Sequence, residues 1–384
     1  MYLFTGYEYT NNGRTISMNY CMHNDADLKS ARWDITDRCN LNCIHCSAKG
    51  QFKEARNLSE ERAFYLLDII WEKGIKNLTI LGGEPFLYPH IYSVLSHACD
   101  LGFNVDITTN GTMIDYIEID NLINIGLRSI FFSIDGSMPS INDAIRGPDV
   151  FKKTSESIGR LSELRESKGS SVYINVNTVL NKINSSNIPQ IVELCSQYNI
   201  DCFKLSDLDL AGNALYNSDV LRLNRAEKIR SIQEIMKIIP NYPHIDFDIL
   251  SSNPRFLEFL YENYDIEFPI SISGCKACRK EIYIDPSGVI SPCVSIYQDP
   301  LLSGRYTDSI FNLKDLPLSE HRIYREFKDN YQLIKDTYST YTPCKTCPYL
   351  TTLCYPCPLG SSNEQNQIEL CCIAEDELSK LGLA

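Results

Sequence analysis

Three closely spaced cysteines, Cys39, Cys43 and Cys46, form a Cys-x3-Cys-x2-Cys pattern in the N-terminal part of the chain. Three thiolates held this close together can ligate three corners of a four-iron, four-sulfur cluster. A structural iron–sulfur site takes four cysteines, so this set leaves one iron without a protein ligand. The pattern therefore predicts a cluster with one iron reserved for a bound molecule. Zinc is the alternative, with His45 inside the run as a fourth ligand.

Length, charge and cysteine usage limit the function classes. The chain has 384 residues, a net charge of −13 and 43% hydrophobic residues, which suits one large domain and a smaller one. It shows no long basic block of the kind that binds nucleic acid, no apolar run of membrane-spanning length and no export signal at its start. We therefore expect a cytoplasmic protein without nucleic-acid or membrane partners, in which metal binding accounts for the high count of 16 cysteines better than disulfides do.

Short apolar segments alternate with amphipathic ones from about residue 30 to 250, as expected for strands followed by helices. The pattern predicts helices over 59–73, 90–98, 151–166 and 188–198, and strands over 31–36, 77–81, 105–108, 129–134, 172–179 and 203–205. Ser59 is the expected N-cap of the first helix, and Gly74 follows its end. Six strands alternating with helices imply a parallel sheet whose catalytic groups gather at the strand C-termini.

Polar motifs follow several of these predicted strands. Gly82-Gly83-Glu84-Pro85 comes after the second strand, where glycines admit a ligand close to the backbone and Glu84 can receive an ammonium group. Thr109 closes the third strand within Thr-Thr-Asn-Gly-Thr, and Ser133 and Asp135 close the fourth. Ordinary turn chemistry is the alternative interpretation of these Gly, Asn-Gly and Asp-Gly segments.

The cysteine pattern, the Gly-Gly-Glu-Pro motif and the strand-end segments together resemble the radical S-adenosylmethionine (SAM) enzymes. That resemblance implies a (β/α)6 partial TIM barrel, with Cys39, Cys43 and Cys46 holding a cluster whose open iron is chelated by SAM. The reduced cluster of such enzymes cleaves SAM to a 5′-deoxyadenosyl radical. By the same resemblance, SAM is expected to bind at the strand ends and in the cysteine loop. Its amino group is expected to contact Gly82, Gly83, Glu84 and Pro85, and its carboxylate, ribose or adenine is expected to contact Thr109, Ser133, Asp135, Asn177 and Leu208. His45 is expected to pack near the adenine.

Nine cysteines crowd the last third of the chain with regular spacings. A hairpin turning at Asp285 to Gly288 is predicted between two of them. The pattern resembles the SPASM domain of peptide-modifying radical SAM enzymes, although its second half departs from the family spacing. Two zinc ribbons are the alternative. The resemblance implies two auxiliary clusters, one on Cys275, Cys278, Cys293 and Cys357, the other on Cys344, Cys347, Cys354 and either Cys371 or Cys372, with Cys371 preferred.

The predicted fold is thus α/β, a (β/α)6 partial barrel followed by a small cysteine-rich SPASM-like domain with a β-hairpin and short helices. The expected domains are an N-terminal extension, itself a candidate hairpin (1–29), the barrel (30–250), a linker (251–274) and the auxiliary-cluster domain (275–384).

Three [4Fe–4S] clusters and SAM are the implied cofactors, and a flavodoxin- or ferredoxin-type protein is the implied electron donor. The expected substrate is a ribosomally made precursor peptide, cross-linked or dehydrogenated at a side chain and presented by a separate recognition protein or by strand addition. The alternatives are a radical SAM dehydrogenase of a small molecule and a non-enzymatic zinc or iron–sulfur binding module.

Overall fold

The computed structural model describes residues 4–11, 14–21, 29–48, 57–114 and 116–249, together with 273–274, 277, 281–294, 297, 306–313, 321–323, 325 and 354–355. The largest element in these residues is a ten-stranded sheet, accompanied by two small two-stranded sheets. Six of the predicted auxiliary ligands, Cys275, Cys278, Cys344, Cys347, Cys357 and Cys371, lie outside the described residues, as does most of the predicted linker.

Seven parallel strands make up most of the large sheet and lie in chain order, with the last of them at its edge. After an antiparallel N-terminal pair, β1 (Phe4–Asn11) and β2 (Arg14–Cys21), they are β3 (Ser30–Asp34), β4 (Asn77–Leu81), β5 (Asn104–Thr109), β6 (Ser129–Ser133), β7 (Tyr173–Val179), β8 (Cys202–Ser206) and β9 (Asp246–Ile249). The first six correspond to the predicted strands. The seventh, β9, escaped the sequence analysis because it is a four-residue strand with two acidic residues.

The helices lie between these strands, and each connection runs from one parallel strand to the next. They are α1 (Glu60–Glu72), α2 (Ile91–Leu101), α3 (Tyr116–Ile125), α4 (Pro139–Arg146), α5 (Val150–Lys168), α6 (Ile188–Gln197), α7 (Gly212–Tyr216), α8 (Ser218–Leu221) and α9 (Arg225–Ile238), with short 3-10 turns at Pro85–Leu87, Ile239–Asn241 and Ile310–Leu313. The Ser59 hydroxyl accepts the Arg62 N–H at the start of α1, as its N-cap position predicts.

The predicted C-terminal hairpin is present and joins the large sheet. The remaining strands are β10 (Ser273–Gly274), β11 (Glu281–Ile284), β12 (Val289–Ser291), β13 (Asp308–Ser309) and β14 (Cys354–Tyr355). β11 and β12 pair antiparallel around the turn at Asp285 to Gly288, and β11 also pairs parallel with β3. The hairpin therefore continues the barrel sheet past its first strand, which the sequence pattern did not predict.

The two faces of the sheet differ in polarity because side chains alternate along each strand. Trp33 and its neighbours on one face pack with the buried sides of the helices in a single apolar core. The opposite face carries polar residues in register, among them Ser133, Asn177 and Lys204 on adjacent strands.

The paired strands run from β13 to β9 without closing into a ring among the described residues. The predicted α/β partial-barrel fold class is thus confirmed. No helix in the described part of the chain is long and apolar enough to cross a membrane.

Candidate active site

The cysteine loop, residues 39–46, directly follows the segment that leaves β3, and the Gly-Gly-Glu-Pro segment packs against that approach. The Gly83 N–H donates to the Thr36 carbonyl and the Glu84 N–H to the Arg38 carbonyl, both at 2.8 Å. A Cβ on Gly82 would lie 2.4 Å from the Thr36 oxygen, and one on Gly83 would lie 2.2 Å from the Arg38 oxygen. The closest neighbour of these glycines is therefore the backbone that leads into the cysteine loop.

Glu84 is fully buried and braces the ends of β4 and β5. Its Oε1 accepts hydrogen bonds from Phe86 N–H at 3.2 Å and Thr109 Oγ1 at 2.7 Å, and its Oε2 accepts the Asn110 N–H at 2.7 Å. Burial raises the pKa of Glu84 to about 7, and these hydrogen bonds oppose the increase. Since an ionised carboxylate offers about four acceptor sites, three internal bonds leave room for one further donor.

The segment after β5 is connected to the cysteine loop through side chains. Asn110 Nδ2 donates to Asn40 Oδ1 at 2.9 Å, and Asn40 Nδ2 donates to Thr112 Oγ1 at 2.8 Å. The Thr109 hydroxyl, besides donating to Glu84, accepts the Gly111 N–H at 2.9 Å. The predicted site residue Thr109 is therefore part of a hydrogen-bonded brace between two strand ends and the loop.

Asp135, beyond the end of β6, is fully buried and holds groups from three elements. Its Oδ1 accepts the Val179 N–H at 2.7 Å, while its Oδ2 lies 2.7 Å from Arg146 Nε and 3.1 Å from His45 Nε2. Burial lowers the pKa of His45 to about 4, although the Asp135 carboxylate opposes this shift. His45 is therefore neutral at neutral pH, and its buried Nδ1 has no hydrogen-bond partner in the described part of the chain.

The C-terminal end of α4 supports the middle of the cysteine loop. The Ile44 N–H donates to the Ile145 carbonyl at 3.0 Å, and Cys43 Sγ lies 3.7 Å from the Arg146 carbonyl oxygen. Burial raises the pKa of the Cys43 thiol to about 11. A metal ion that binds such a thiol deprotonates it, because the ion's charge outweighs the cost of burial.

Two asparagines, one in α7 and one directly after it, donate hydrogen bonds to carbonyls of the cysteine loop. The Asn213 N–H donates to the Cys46 carbonyl and its Nδ2 to the Cys43 carbonyl, both at 2.9 Å. Asn217 Nδ2 donates to the Ile44 carbonyl at 3.2 Å. Sequence reasoning missed both residues, since no motif marks them and about 170 residues separate them from the loop.

The other predicted cofactor contacts occupy the same end of the sheet. Ser133 pairs in register with Asn177, whose Oδ1 accepts the Ser206 hydroxyl at 2.9 Å. Leu208 lies in a small apolar cluster that also contacts Ile44 of the cysteine loop. Pro85 is buried at the start of the 3-10 turn after Glu84.

The donor set suits an iron–sulfur cluster. Cys39, Cys43 and Cys46 are reduced thiols, and the Leu41 N–H donates to Cys39 Sγ at 3.4 Å, a bond of the kind that tunes cluster potentials. No three His, Cys, Asp or Glu side chains in the described ranges converge on a single metal-ion position. Cluster thiolates do not need such convergence, because each binds a different iron.

Little of the predicted auxiliary-cluster site falls within the described residues. Cys293 follows β12, and its carbonyl accepts the Ser291 hydroxyl at 2.9 Å and the Tyr297 N–H at 3.2 Å. Cys354 opens β14, which pairs parallel with β10. The auxiliary ligand set remains a prediction.

The chain resembles characterised proteins over most of its length. It is 23% identical to the AdoMet-dependent heme synthase of Methanosarcina barkeri over 78% of this chain and 85% of that protein. It is also 23% identical to the subtilosin biosynthesis protein AlbA of Bacillus subtilis, over 90% of this chain and 71% of AlbA. Three further heme-related relatives are matched over only 48% to 61% of their length.

Among solved structures, Streptococcus suis SuiB bound to SAM has a similar fold, with a TM-score of 0.66 and 20% sequence identity. The match covers 85% of this chain and 72% of SuiB. At this level of identity the likeness concerns the fold, and it agrees with the partial barrel described above.

Residues 33–195 match the model of the Radical SAM superfamily. The matched range contains the cysteine loop, the Gly-Gly-Glu-Pro segment and the braces formed by Glu84 and Asp135. A domain of this family implies one [4Fe–4S] cluster and SAM as cofactors, which the donor set of the loop fits. The resemblance predicted from the sequence is thus confirmed, and residues 33–195 form a radical SAM domain.

Proposed function

We infer that this enzyme cleaves SAM to a 5′-deoxyadenosyl radical and uses it to cross-link or dehydrogenate a side chain of a ribosomally made peptide. The observation that carries the first half of the inference is the support of the cysteine loop from every side. Asn110, the end of α4 and Asn213 hold its backbone or side chains, and Gly83 holds the segment that leads into it. Such preorganisation is what a reactive cluster with one open iron requires.

The residues of the site have separate tasks in this proposal. Cys39, Cys43 and Cys46 ligate the cluster, which when bound supplies the electron that breaks the sulfonium bond of SAM. Glu84, with one acceptor site left, is the group for the SAM ammonium. The neutral His45 ring, held beside Asp135, presents its unpartnered Nδ1 or its face to the nucleoside. Thr109, Ser133, Asp135, Asn177 and Leu208 stay in the proposed site as positioning or contact residues.

A peptide substrate is supported by the relatives. SuiB has been captured with its precursor peptide SuiA, and AlbA takes part in the biosynthesis of the bacteriocin subtilosin. The chain also carries the C-terminal cysteines that two auxiliary clusters would need. Parallel pairing of β10 with β14 supports a cluster shared by Cys275 and Cys357, because these residues follow the paired strands by one and two positions.

A second candidate is oxidation of a small molecule, and one observation favours it. The relative from Methanosarcina barkeri, which is matched over 85% of its length, is a heme synthase. A heme precursor would take the place of the peptide at the polar face of the sheet. The cysteine loop and the SAM contacts would keep the same tasks.

The radical-forming half of the proposal is tested by anaerobic reconstitution with iron and sulfide, followed by dithionite and SAM. Three four-iron clusters would give about twelve irons per chain, and 5′-deoxyadenosine should form. The matched control carries Cys39→Ala, Cys43→Ala and Cys46→Ala. About eight irons with normal cleavage would contradict one auxiliary ligand set. Bound zinc without cleavage would contradict the enzyme assignment and favour a metal-binding module.

The peptide half is tested by co-expression with the short peptides encoded beside the gene, followed by mass spectrometry. A cross-link or dehydrogenation lowers the peptide mass by two hydrogen atoms, and the triple cysteine variant should leave the mass unchanged. SAM cleavage coupled to oxidation of a heme precursor, with every such peptide unaltered, would favour the second candidate.

A further inference from the structure

Asp34 is a part-buried carboxylate at the C-terminal end of β3, five residues before Cys39. Trp33 and Ile35 on either side of it belong to the apolar core, so strand alternation places Asp34 on the polar face of the sheet. Its position in register with Leu81, immediately before Gly82, puts it beside the segment that supports the cysteine loop. Asp34 therefore lies at the edge of the sheet where the site residues gather.

The hairpin strand β11 brings a tyrosine to this carboxylate. Tyr283 pairs in register with Arg32 and shares its face, and its hydroxyl donates to Asp34 Oδ2 at 2.8 Å. Among the described residues this is the one hydrogen bond to the Asp34 carboxylate, so Oδ1 can take a proton or a new donor. The Tyr283 ring packs at 5.5 Å against the ring of Tyr297.

The other buried carboxylates of the region are already committed. Glu84 accepts three internal hydrogen bonds, and Asp135 faces Arg146 and His45. Asp285, in the hairpin turn, accepts bonds from Ser287, Val289 and the Tyr297 hydroxyl. Asp34 differs from all of them because it has one internal donor and is not fully enclosed.

We propose that Asp34 is the proton acceptor of the oxidative step, with Tyr283 as its positioning residue. This inference rests on the proposed function. After hydrogen abstraction, the substrate carbon radical bonds to a neighbouring heteroatom that carries a hydrogen. Closing that bond releases one electron and one proton. An iron–sulfur cluster held in oxidised form by the C-terminal cysteines would take up the electron, and the proton from the heteroatom passes to the Asp34 carboxylate.

The charges around Asp34 suit a base that works near neutral pH. Burial raises the pKa of Asp34 to about 6, the Tyr283 hydrogen bond and the Arg32 charge lower it, and the Asp285 charge on the facing hairpin raises it. On the neighbouring strand β4, the residues that pair with Arg32 and Asp34 are Thr79 and Leu81, and both are uncharged. Burial raises the pKa of Tyr283 above its usual range, so its hydroxyl stays protonated and keeps donating. A base with a pKa near the working pH combines ionisation with useful proton affinity.

The test uses the reconstituted full chain, the peptide that wild type modifies on co-expression, and three variants. Asp34→Asn should lower product formation by about 100-fold, the range for loss of a general base, while 5′-deoxyadenosine still forms. Tyr283→Phe removes a bond that lowers the pKa of Asp34, so the acid limb of the pH–rate profile should move to higher pH. Asp100→Asn, an exposed carboxylate on α2 outside the barrel, is the matched control and should behave as wild type.

A second measurement needs no substrate. Ionisation of Asp34 changes the environment of the Tyr283 hydroxyl, so ultraviolet difference absorption of the apo-protein should show a tyrosine step near pH 6. Asp34→Asn should abolish that step, and Asp100→Asn should retain it.

The outcomes separate the inference from the function it rests on. If the wild type modifies the peptide and Asp34→Asn does so at the same rate and with the same pH profile, the inference alone is overturned. Absence of the tyrosine step would overturn it as well. A wild type that modifies no peptide would overturn the proposed function, and the inference would fall with it.

Discussion

Replacement of Gly83 by alanine probes the contact on which the cysteine loop depends. The new Cβ would lie 2.2 Å from the Arg38 carbonyl oxygen and 2.9 Å from that of Asp37. Both obstacles are backbone atoms, so the approach to the loop must retreat by about an ångström to reach ordinary contact distance. Overpacking of this kind costs about 1–3 kcal/mol, and loss of the two bonds from Gly83 and Glu84 costs about 1 kcal/mol each. We expect the free energy of unfolding to fall by about 3–5 kcal/mol.

Urea denaturation of the apo-protein measures this change, with Gly126→Ala as the matched control. Gly126 has a φ of +87°, and no atom lies within 4 Å of the position that an alanine Cβ would take there. Its replacement therefore reports backbone strain alone, about 1–2 kcal/mol. After reconstitution, SAM cleavage by Gly83→Ala should fall by about 100-fold, since a displacement of about an ångström suffices for such a loss. A Gly83→Ala protein as stable and active as the control would refute the packing argument.

Three further perturbations test other parts of the site. Asp135→Asn leaves the buried Arg146 guanidinium unpaired, so urea denaturation should show a loss of about 3–5 kcal/mol; a loss below about 1 kcal/mol would contradict the brace. Asn213→Ala removes the donor to the Cys43 carbonyl and should weaken iron retention against a chelator by about 10–100-fold; wild-type retention would contradict this. Because burial raises the pKa of Asp34 from 3.8 to about 6, the folded state holds an extra proton between these values and its stability falls as pH rises through them. The change in the free energy of unfolding caused by Asp34→Asn should therefore be more favourable at pH 8 than at pH 4, by about 1–3 kcal/mol. An equal change at both pH values would contradict the burial argument.

The sequence predicted those features that depend on local patterns. Apolar alternation located six strands, and Ser59 with Gly74 marked the ends of α1. The turn at Asp285 to Gly288 was predictable because the Asp285 side chain accepts the Ser287 and Val289 N–H groups and Gly288 has a φ of +84°. Such features follow from neighbours a few residues apart.

Features that join distant parts of the chain were not predictable in this way. The pairing of β11 with β3 and the bond between Tyr283 and Asp34 span about 250 residues, and Asn213 reaches the cysteine loop across 170. Neither residue type nor spacing distinguishes Asn213 from other asparagines. The tertiary fold alone gives these residues their partners.

The structure also gives a supporting role to residues that the sequence assigned to ligand binding. Gly83, Glu84 and Asp135 were expected to face a ligand, yet each has its nearest partners inside the protein. If a residue both supports the cysteine loop and contacts a ligand, its replacement removes both contributions. Loss of SAM cleavage would not show which of the two was responsible. Stability of the apo-protein separates the two, because only the brace contributes to it. A Glu84→Gln variant that loses SAM affinity while the apo-protein keeps its stability would locate the ligand contact. One that loses both would show that the carboxylate acts through the position of the loop.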